Sequence, residues 1–301
     1  MGYNNEACTF FSILLSVFVL ILCALRLYVR VWLQKPGLDD VFLLVAVVFY
    51  IPLMFLYVIG LLKYGIGRLN EDVSQETYKI SIKILLSCQL LYPVATYMAK
   101  QSFIFTMFRI TRGKVYIFVL YLTIGAGIIS TVFLFFWFLL ACRPVTFYWE
   151  QTTNPGLDGT CRSSSELVVV SLVHAGWNLM ADLLLGLVIP ALLLRDIQMQ
   201  WKTKMSVLGL LALASVASVA TVTRIVYLPT LTKENGLYTN NQLVFWTVTE
   251  DRTVNALDTL VGSLKLPQAY PSIADARNGR KFFIVSTFAS TLDLWRILCP
   301  I

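Results

Sequence analysis

The sequence predicts an all-α polytopic membrane protein, a seven-transmembrane helix bundle with its N-terminus outside and its C-terminus cytoplasmic. Three observations carry this reading. Of 301 residues, 57% are hydrophobic and only 14% are charged, and the mean hydropathy is +0.72, too apolar for a soluble domain. Seven apolar runs reach the length of about 20 residues that crosses a hydrocarbon core of roughly 30 Å: Phe10–Leu33, Val41–Leu62, Ile84–Phe108, Val115–Ala141, Leu167–Leu194, Met205–Leu228 and Leu243–Leu266. With the N-terminus outside, the inner side collects 14 Lys and Arg and the outer loops 7, which is the asymmetry the positive-inside rule demands.

The runs are too long for barrel strands, so backbone satisfaction in lipid requires helices. Met1–Thr9 carries Glu6 and no base, unlike the basic start of a cleavable signal, and the first span is expected to stay. Residues 1–266 form one membrane domain. Residues 267–301 form a short cytoplasmic tail, in which Asp293 and Arg296 make Phe282–Ile301 an expected interfacial helix rather than an eighth span. The net charge of +7 follows from bases that face anionic headgroups, so the bilayer is the expected partner and nucleic acid is not.

Taken in order, the first span ends in Arg26-Leu-Tyr-Val-Arg30, bases expected to snorkel to the headgroups. Pro36-Gly37-Leu38-Asp39-Asp40 is a turn into the second span, and the two carboxylates suit a helix start as caps and against its dipole. In the third span Tyr92, Thr96 and Lys100 fall at four-residue steps and form a polar seam. The fourth span is almost wholly apolar and is expected to face lipid. The loop after it holds Cys142 and Cys161, for which a Cys142–Cys161 disulfide is favoured, although pairing of either with Cys88 is also open. The chain contains 1 His and no paired CxxC, so no metal site is expected.

The fifth span carries His174, Asn178 and Asp182 at four-residue steps. The sixth places Ser215, Ser218, Thr221 and Arg224 on or near one face, and the seventh holds Glu250, Asp251, Arg252, Asn255 and Asp258 within an otherwise apolar run. An ionisable group at the bilayer centre costs about 2.5–3.5 kcal/mol, so these residues are expected to face the bundle interior. Depth along each helix predicts a structural ion pair between Lys100 and Asp258. It also predicts an outer polar pocket in which Arg224, His174 and Glu250 share a level, Asn178 and Asp251 lie just below, and Asp182 sits near the midplane. Such groups either hold helices in register or bind a ligand. For the ligand-binding reading, Glu250, Asp251 and Asp182 are the candidate acids or bases, with His174, Asn178, Arg224, Trp246 and Trp177 lining the site.

Several local patterns occur together: Arg26-Leu-Tyr-Val-Arg30, Gly37-Leu-Asp-Asp40, Tyr64-Gly-Ile-Gly67, Lys100-Gln-Ser102, Cys142-Arg-Pro144 with Trp149, Gly159-Thr-Cys161, Asn178 with Asp182, Pro190, and Trp246 with Glu250. In this combination the chain resembles the fungal rhodopsin-like integral membrane family over residues 10–266. That family includes receptor-like surface proteins and members encoded in satratoxin and other mycotoxin gene clusters. Thr259-Leu-Val-Gly-Ser-Leu264 stands where the family often has Leu-Pro, and Asp251 looks like an addition. The resemblance implies a role in fungal secondary-metabolite biosynthesis, as a cyclase or isomerase acting on a lipophilic intermediate, with a receptor-like sensor or a transporter as alternatives. Pathway enzymes or a cytoplasmic effector are the implied partners, and the endoplasmic reticulum or plasma membrane the implied location. Opsins attach retinal to a lysine in the last helix, and here that span has only Lys265 at its edge, so no chromophore or other cofactor is expected.

Overall fold

The computed structural model describes residues 2–33, 37–64, 66, 74–108, 113–150, 158–189, 218–219, 221–226 and 228. Its helices are α1 (Gly2–Leu33), α2 (Leu38–Leu62), α3 (Gln75–Phe108), α4 (Lys114–Leu139), the short α5 (Phe147–Glu150) and α6 (Ser164–Leu183), which runs on into a π-turn, Leu184–Val188. A two-stranded hairpin of β1 (Cys142–Arg143) and β2 (Thr160–Cys161) joins α4 to α6. Four described helical stretches are long and apolar enough to cross a membrane: Leu38–Leu62, Gln75–Phe108, Lys114–Leu139 and Ser164–Val188. Together with the apolar stretch Ser16–Tyr28 in α1, they make the chain an integral membrane protein. The expected seventh span, 243–266, and most of the sixth lie outside the described residues, as does the tail.

The helices outrun their apolar runs because hydrocarbon thickness limits the apolar stretch and not the backbone ladder, which continues through the headgroups. At 1.5 Å per residue the 34 residues of α3 span about 50 Å, so its first turns project beyond the hydrocarbon. There Lys79 pairs with Glu150 at 3.6 Å, and Lys83 lies 5.0 Å from the Trp149 ring, which docks α5 onto α3. Capping fixes the other starts. Asp40 Oδ2 accepts from the Gly37 amide at 3.0 Å at the start of α2, and Ser163 Oγ accepts from the Glu166 amide at the start of α6.

The core lies between α2 and α3, where Tyr50, Leu53, Met54 and Tyr57 meet Ile84, Cys88 and Tyr92. Ile66 folds back into the same cluster and donates its amide to the Gly60 carbonyl at 3.0 Å; a Cβ at Gly60 would overlap its side chain. The fourth helix buries a narrow stripe, Leu120, Thr123, Gly127, Thr131, Leu134 and Phe138, and turns its remaining apolar surface outward. Exposed Leu44, Val48, Ile51 and Phe55 on α2 and Val132, Phe133 and Phe136 on α4 form faces suited to lipid rather than water. At the hairpin end Cys142 and Cys161 are directly paired in register and joined by the disulfide, while Cys88 is a free, buried thiol.

Arg26 corrects the snorkelling expectation. It is only 4% exposed and turns inward, with Nη2 3.4 Å from Asp39 Oδ2 and 3.6 Å from Asp40 Oδ1. Ser102 Oγ donates to the Asp39 carbonyl at 2.6 Å, and Thr106 Oγ1 to its carboxylate at 3.5 Å. The two acids therefore cap α2 and also tie α1, α2 and α3 together. Replacing Arg26 by Met strands buried carboxylates and is expected to cost about 3–5 kcal/mol. Arg26→Met combined with Asp39→Asn should recover part of that loss. The check is the thermal unfolding midpoint of the purified protein in detergent; an unchanged midpoint in the single variant overturns the assignment.

Candidate functional site

Both four-residue seams fold against one another. α3 and α6 each begin at the hairpin end and run the same way through the bundle, so Tyr92 stands level with His174 and Asn178, and Lys100 with Asn178 and Asp182. All of these side chains are buried, as is Thr96. Lys100 Nζ lies 3.0 Å from Asp182 Oδ1, and donates to Asn178 Oδ1 at 3.1 Å and to the Asn178 carbonyl at 3.3 Å. Those three acceptors match the three donors of an ammonium group.

The lysine sets the direction of the rest. It can only donate, so Asn178 must present Oδ1 to it and turn Nδ2 the other way. Asn178 Nδ2 donates to the Tyr92 hydroxyl at 3.0 Å and stands 3.3 Å from His174 Nε2. The imidazole Nε2 is therefore an acceptor, the ring is the neutral Nδ1–H tautomer, and Nδ1 donates to Ser130 Oγ at 2.9 Å. The sixth span joins through Arg224. Its Nη1 donates to the same Tyr92 oxygen, and its guanidinium lies 4.2 Å from the Tyr92 ring centroid. Tyr92 and His174 also meet edge to face at 6.3 Å.

One connected polar core thus takes residues from α3, α4, α6 and the helical residues 221–226. Lys100 lies eight residues before the end of α3, about 12 Å along the axis. Asp182 Oδ1 is held by Lys100, and the Thr221 hydroxyl lies close to the same carboxylate. Two residues after Asp182 the α-helix gives way to the π-turn, a deformation found often beside functional positions.

Of the residues expected at the site, Asp182, His174, Asn178, Arg224 and Lys100 come together. Trp177 lies instead along the α4–α6 seam, its Nε1 3.9 Å from where a Cβ on Gly127 would stand. Glu250, Asp251, Trp246 and Asp258 lie outside the described residues. The Lys100–Asp258 pairing therefore falls partly there; the carboxylate described against Lys100 is that of Asp182. Two participants were missed. Ser130 was passed over within an apolar span, although a hydroxyl beside the 3–4 stripe of Thr123, Gly127 and Thr131 marks the packed face. Tyr92 was read only as one member of a seam. No three His, Cys, Asp or Glu side chains among the described residues could hold a metal ion.

The family model described as fungal rhodopsin domain matches residues 25–255, a stretch that contains every member of the polar core. No curated protein matches the chain, and no solved structure matches it.

Breaking the central pair from one side leaves a buried charge, so Lys100→Met should destabilise the fold by about 3–5 kcal/mol. Lys100→Met with Asp182→Leu should cost less than the sum of the two single changes, with a coupling of roughly 0.5–3 kcal/mol. Thermal unfolding of all four proteins in one detergent supplies the cycle; strict additivity would show that the two side chains are not coupled.

Proposed function

The chain belongs to the fungal rhodopsin domain family, and from that premise we propose that it acts on a lipophilic small molecule inside the membrane by non-redox acid–base chemistry. The reaction is a cyclisation or isomerisation in fungal secondary-metabolite biosynthesis of the mycotoxin type. The observation that carries this reading is the buried polar core. Lys100, Asp182, His174, Asn178, Tyr92 and Arg224 bring proton-bearing groups from neighbouring helices together in the buried interior of the described helices. Groups so costly to place in a bilayer mark function by default. The sequence contains no redox cofactor motif, which restricts the chemistry to moving protons.

Within this reading Asp182 orients Lys100, and through it Asn178, while Glu250 and Asp251 remain candidate acids from the seventh span. Trp246 would add an aromatic wall. The Cys142–Cys161 disulfide supports an oxidising lumen or exterior at the hairpin end. On this reading the start of α1 lies on the same, outer side and the tail is cytoplasmic, which the distribution of Lys and Arg supports. The endoplasmic reticulum and the plasma membrane both satisfy this orientation, and pathway enzymes are the partners that fit it.

A second reading, a receptor-like sensor of a small apolar ligand with a cytoplasmic effector, is favoured by one observation. The π-turn at Leu184–Val188 begins two residues after Asp182, so a ligand that disturbs the Lys100–Asp182 pair would be coupled to the inner end of the fifth span. The two readings separate in a metabolite profile of the source cell with the gene deleted, then restored as wild type or as Glu250→Gln, Asp251→Asn or Asp182→Asn. The enzyme reading expects one precursor to accumulate in the deletion, and again in a carboxylate variant that still reaches the membrane. A whole pathway rising and falling together favours the sensor, and an unchanged profile sinks the enzyme.

A further inference from the structure

At the hairpin end the chain carries two arginines that no carboxylate engages. Arg143 on β1 and Arg162, the residue after β2, are both exposed, and among the described residues neither is ion-paired, although Glu150, Asp158 and Glu166 belong to the same end. The backbone sets the two side by side. Cys142 pairs with Cys161 and Arg143 with Thr160, and the Arg162 amide continues the ladder by donating to the Ala141 carbonyl at 2.9 Å. Because strand side chains alternate between faces, the disulfide takes one face of the hairpin and Arg143, Thr160 and Arg162 share the other. Residues so placed on the diagonal stand about 7–8 Å apart at the backbone, close enough for two long side chains to meet on one anion.

Arg162 is also fixed in place. Its guanidinium lies 3.9 Å from the ring centroid of Trp137, near the end of α4, and Trp137 packs in turn on Phe133 at 5.2 Å. Phe133 is exposed, and so is Val173, which stands next to His174 on α6 along the seam where Ser130 meets that histidine. A cation is thereby held on an aromatic plate at the rim of a lipid-facing surface, the level at which membrane proteins place tryptophan. Stacking occupies the face of the guanidinium and leaves its fork of N–H donors open at the edge.

This combination matches an amphiphile. Above stand two planar groups that suit phosphate oxygens, and below run apolar side chains that suit an acyl chain; a soluble anion would use only the upper half. We propose that the hairpin face and the α4–α6 rim beneath it bind a phospholipid with an anionic phosphate headgroup in the leaflet at the hairpin end. Arg162 and Arg143 hold the phosphate, with the Thr160 hydroxyl on the same face, and Trp137 is the positioning residue for Arg162. The site lies apart from the polar core, so its failure leaves both readings of the function untouched.

The probe is dioleoyl phosphatidic acid added to the purified full-length protein in detergent, with retained lipid counted by native mass spectrometry. Dioleoyl phosphatidylcholine and inorganic phosphate are the comparators. Wild type should retain phosphatidic acid in preference to phosphatidylcholine, and excess inorganic phosphate should not displace it. Arg162→Gln should weaken retention about fivefold or more, the worth of one base at an anionic surface. Arg162→Lys keeps the charge but loses the planar fork, and should weaken retention as well. Lys63→Gln removes an exposed base outside the hairpin and should change nothing. Equal retention of the two lipids, wild-type retention by Arg162→Lys, or an equal loss in Lys63→Gln reduces the effect to diffuse attraction and overturns the site. Displacement by inorganic phosphate overturns the lipid as its occupant. If the Arg162 variants do not fold, Arg143→Gln decides: a similar loss upholds the site and unchanged retention overturns it.

Discussion

The Lys100–Asp182 pair is the constraint on which the rest of the polar core depends. Each charge alone would cost about 2.5–3.5 kcal/mol at the bilayer centre. Together, at 3.0 Å and sealed from lipid, they are tolerable only in one relative placement of α3 and α6. That placement fixes more than two side chains. An ammonium cannot accept, so Asn178 must turn its oxygen towards Lys100; the amide nitrogen then faces Tyr92 and His174, and the histidine must carry its proton on the side of Ser130. A charge on one helix thereby sets a tautomer on another and a hydroxyl contact on a third.

α3 carries two such systems on opposite sides within two residues. Lys100 looks towards α6, and Ser102 looks towards α2, where it holds the Asp39 carbonyl beside the Arg26 ion pairs. Two residues along a helix turn the direction by about 200° at 3.6 residues per turn, so one short stretch serves both sides of the bundle. This is why Lys100-Gln-Ser102 is informative as a unit. The lysine without the serine would anchor one face only. Close packing of α4 on its neighbours completes the arrangement: a Cβ on Gly127 would lie 2.9 Å from Tyr97 Cε2 on α3 and 3.9 Å from Trp177 Nε1 on α6, and along the α4–α6 seam Ser130 meets His174.

Much of this was legible in the sequence, and the limits have physical reasons. Length and hydropathy located the first five spans, which the described residues contain, because bilayer thickness is a ruler that the chain must obey. Four-residue spacing identified Tyr92, Thr96, Lys100 and His174, Asn178, Asp182 as seams, because helical periodicity fixes which residues share a face. Periodicity does not say which face meets which. Depth alone pairs Lys100 with Asp258, which lies outside the described residues; among the described residues Asp182 stands beside it. Arg26 reads as a snorkelling base because its partners, Asp39 and Asp40, stand at the start of the next helix, and nothing local reveals that α1 and α2 bring them together. Ser130 was invisible for a related reason: a lone hydroxyl in an apolar helix normally bonds its own backbone, and only the neighbouring helix gives it another partner. The hairpin cysteines left three pairings open, which the antiparallel register of β1 and β2 reduced to one.

A buried polar network can exist solely to hold helices in register, and replacing such a network by apolar residues is often neutral or stabilising. What separates this core from a registry device is its reach. A registry pair needs two helices and local complementarity, such as Lys100 finds with Asp182 and the two Asn178 oxygens. Around Tyr92 the contacts extend further: Asn178 and Arg224, from two different helices, both donate to its hydroxyl oxygen, and Asn178 passes the order on to His174 and Ser130. Four helices are thereby committed to one polar network, more than is needed to fix the register of any single pair, and ionisable groups gathered at that cost in a membrane helix bundle are more readily understood as a site than as a fastening.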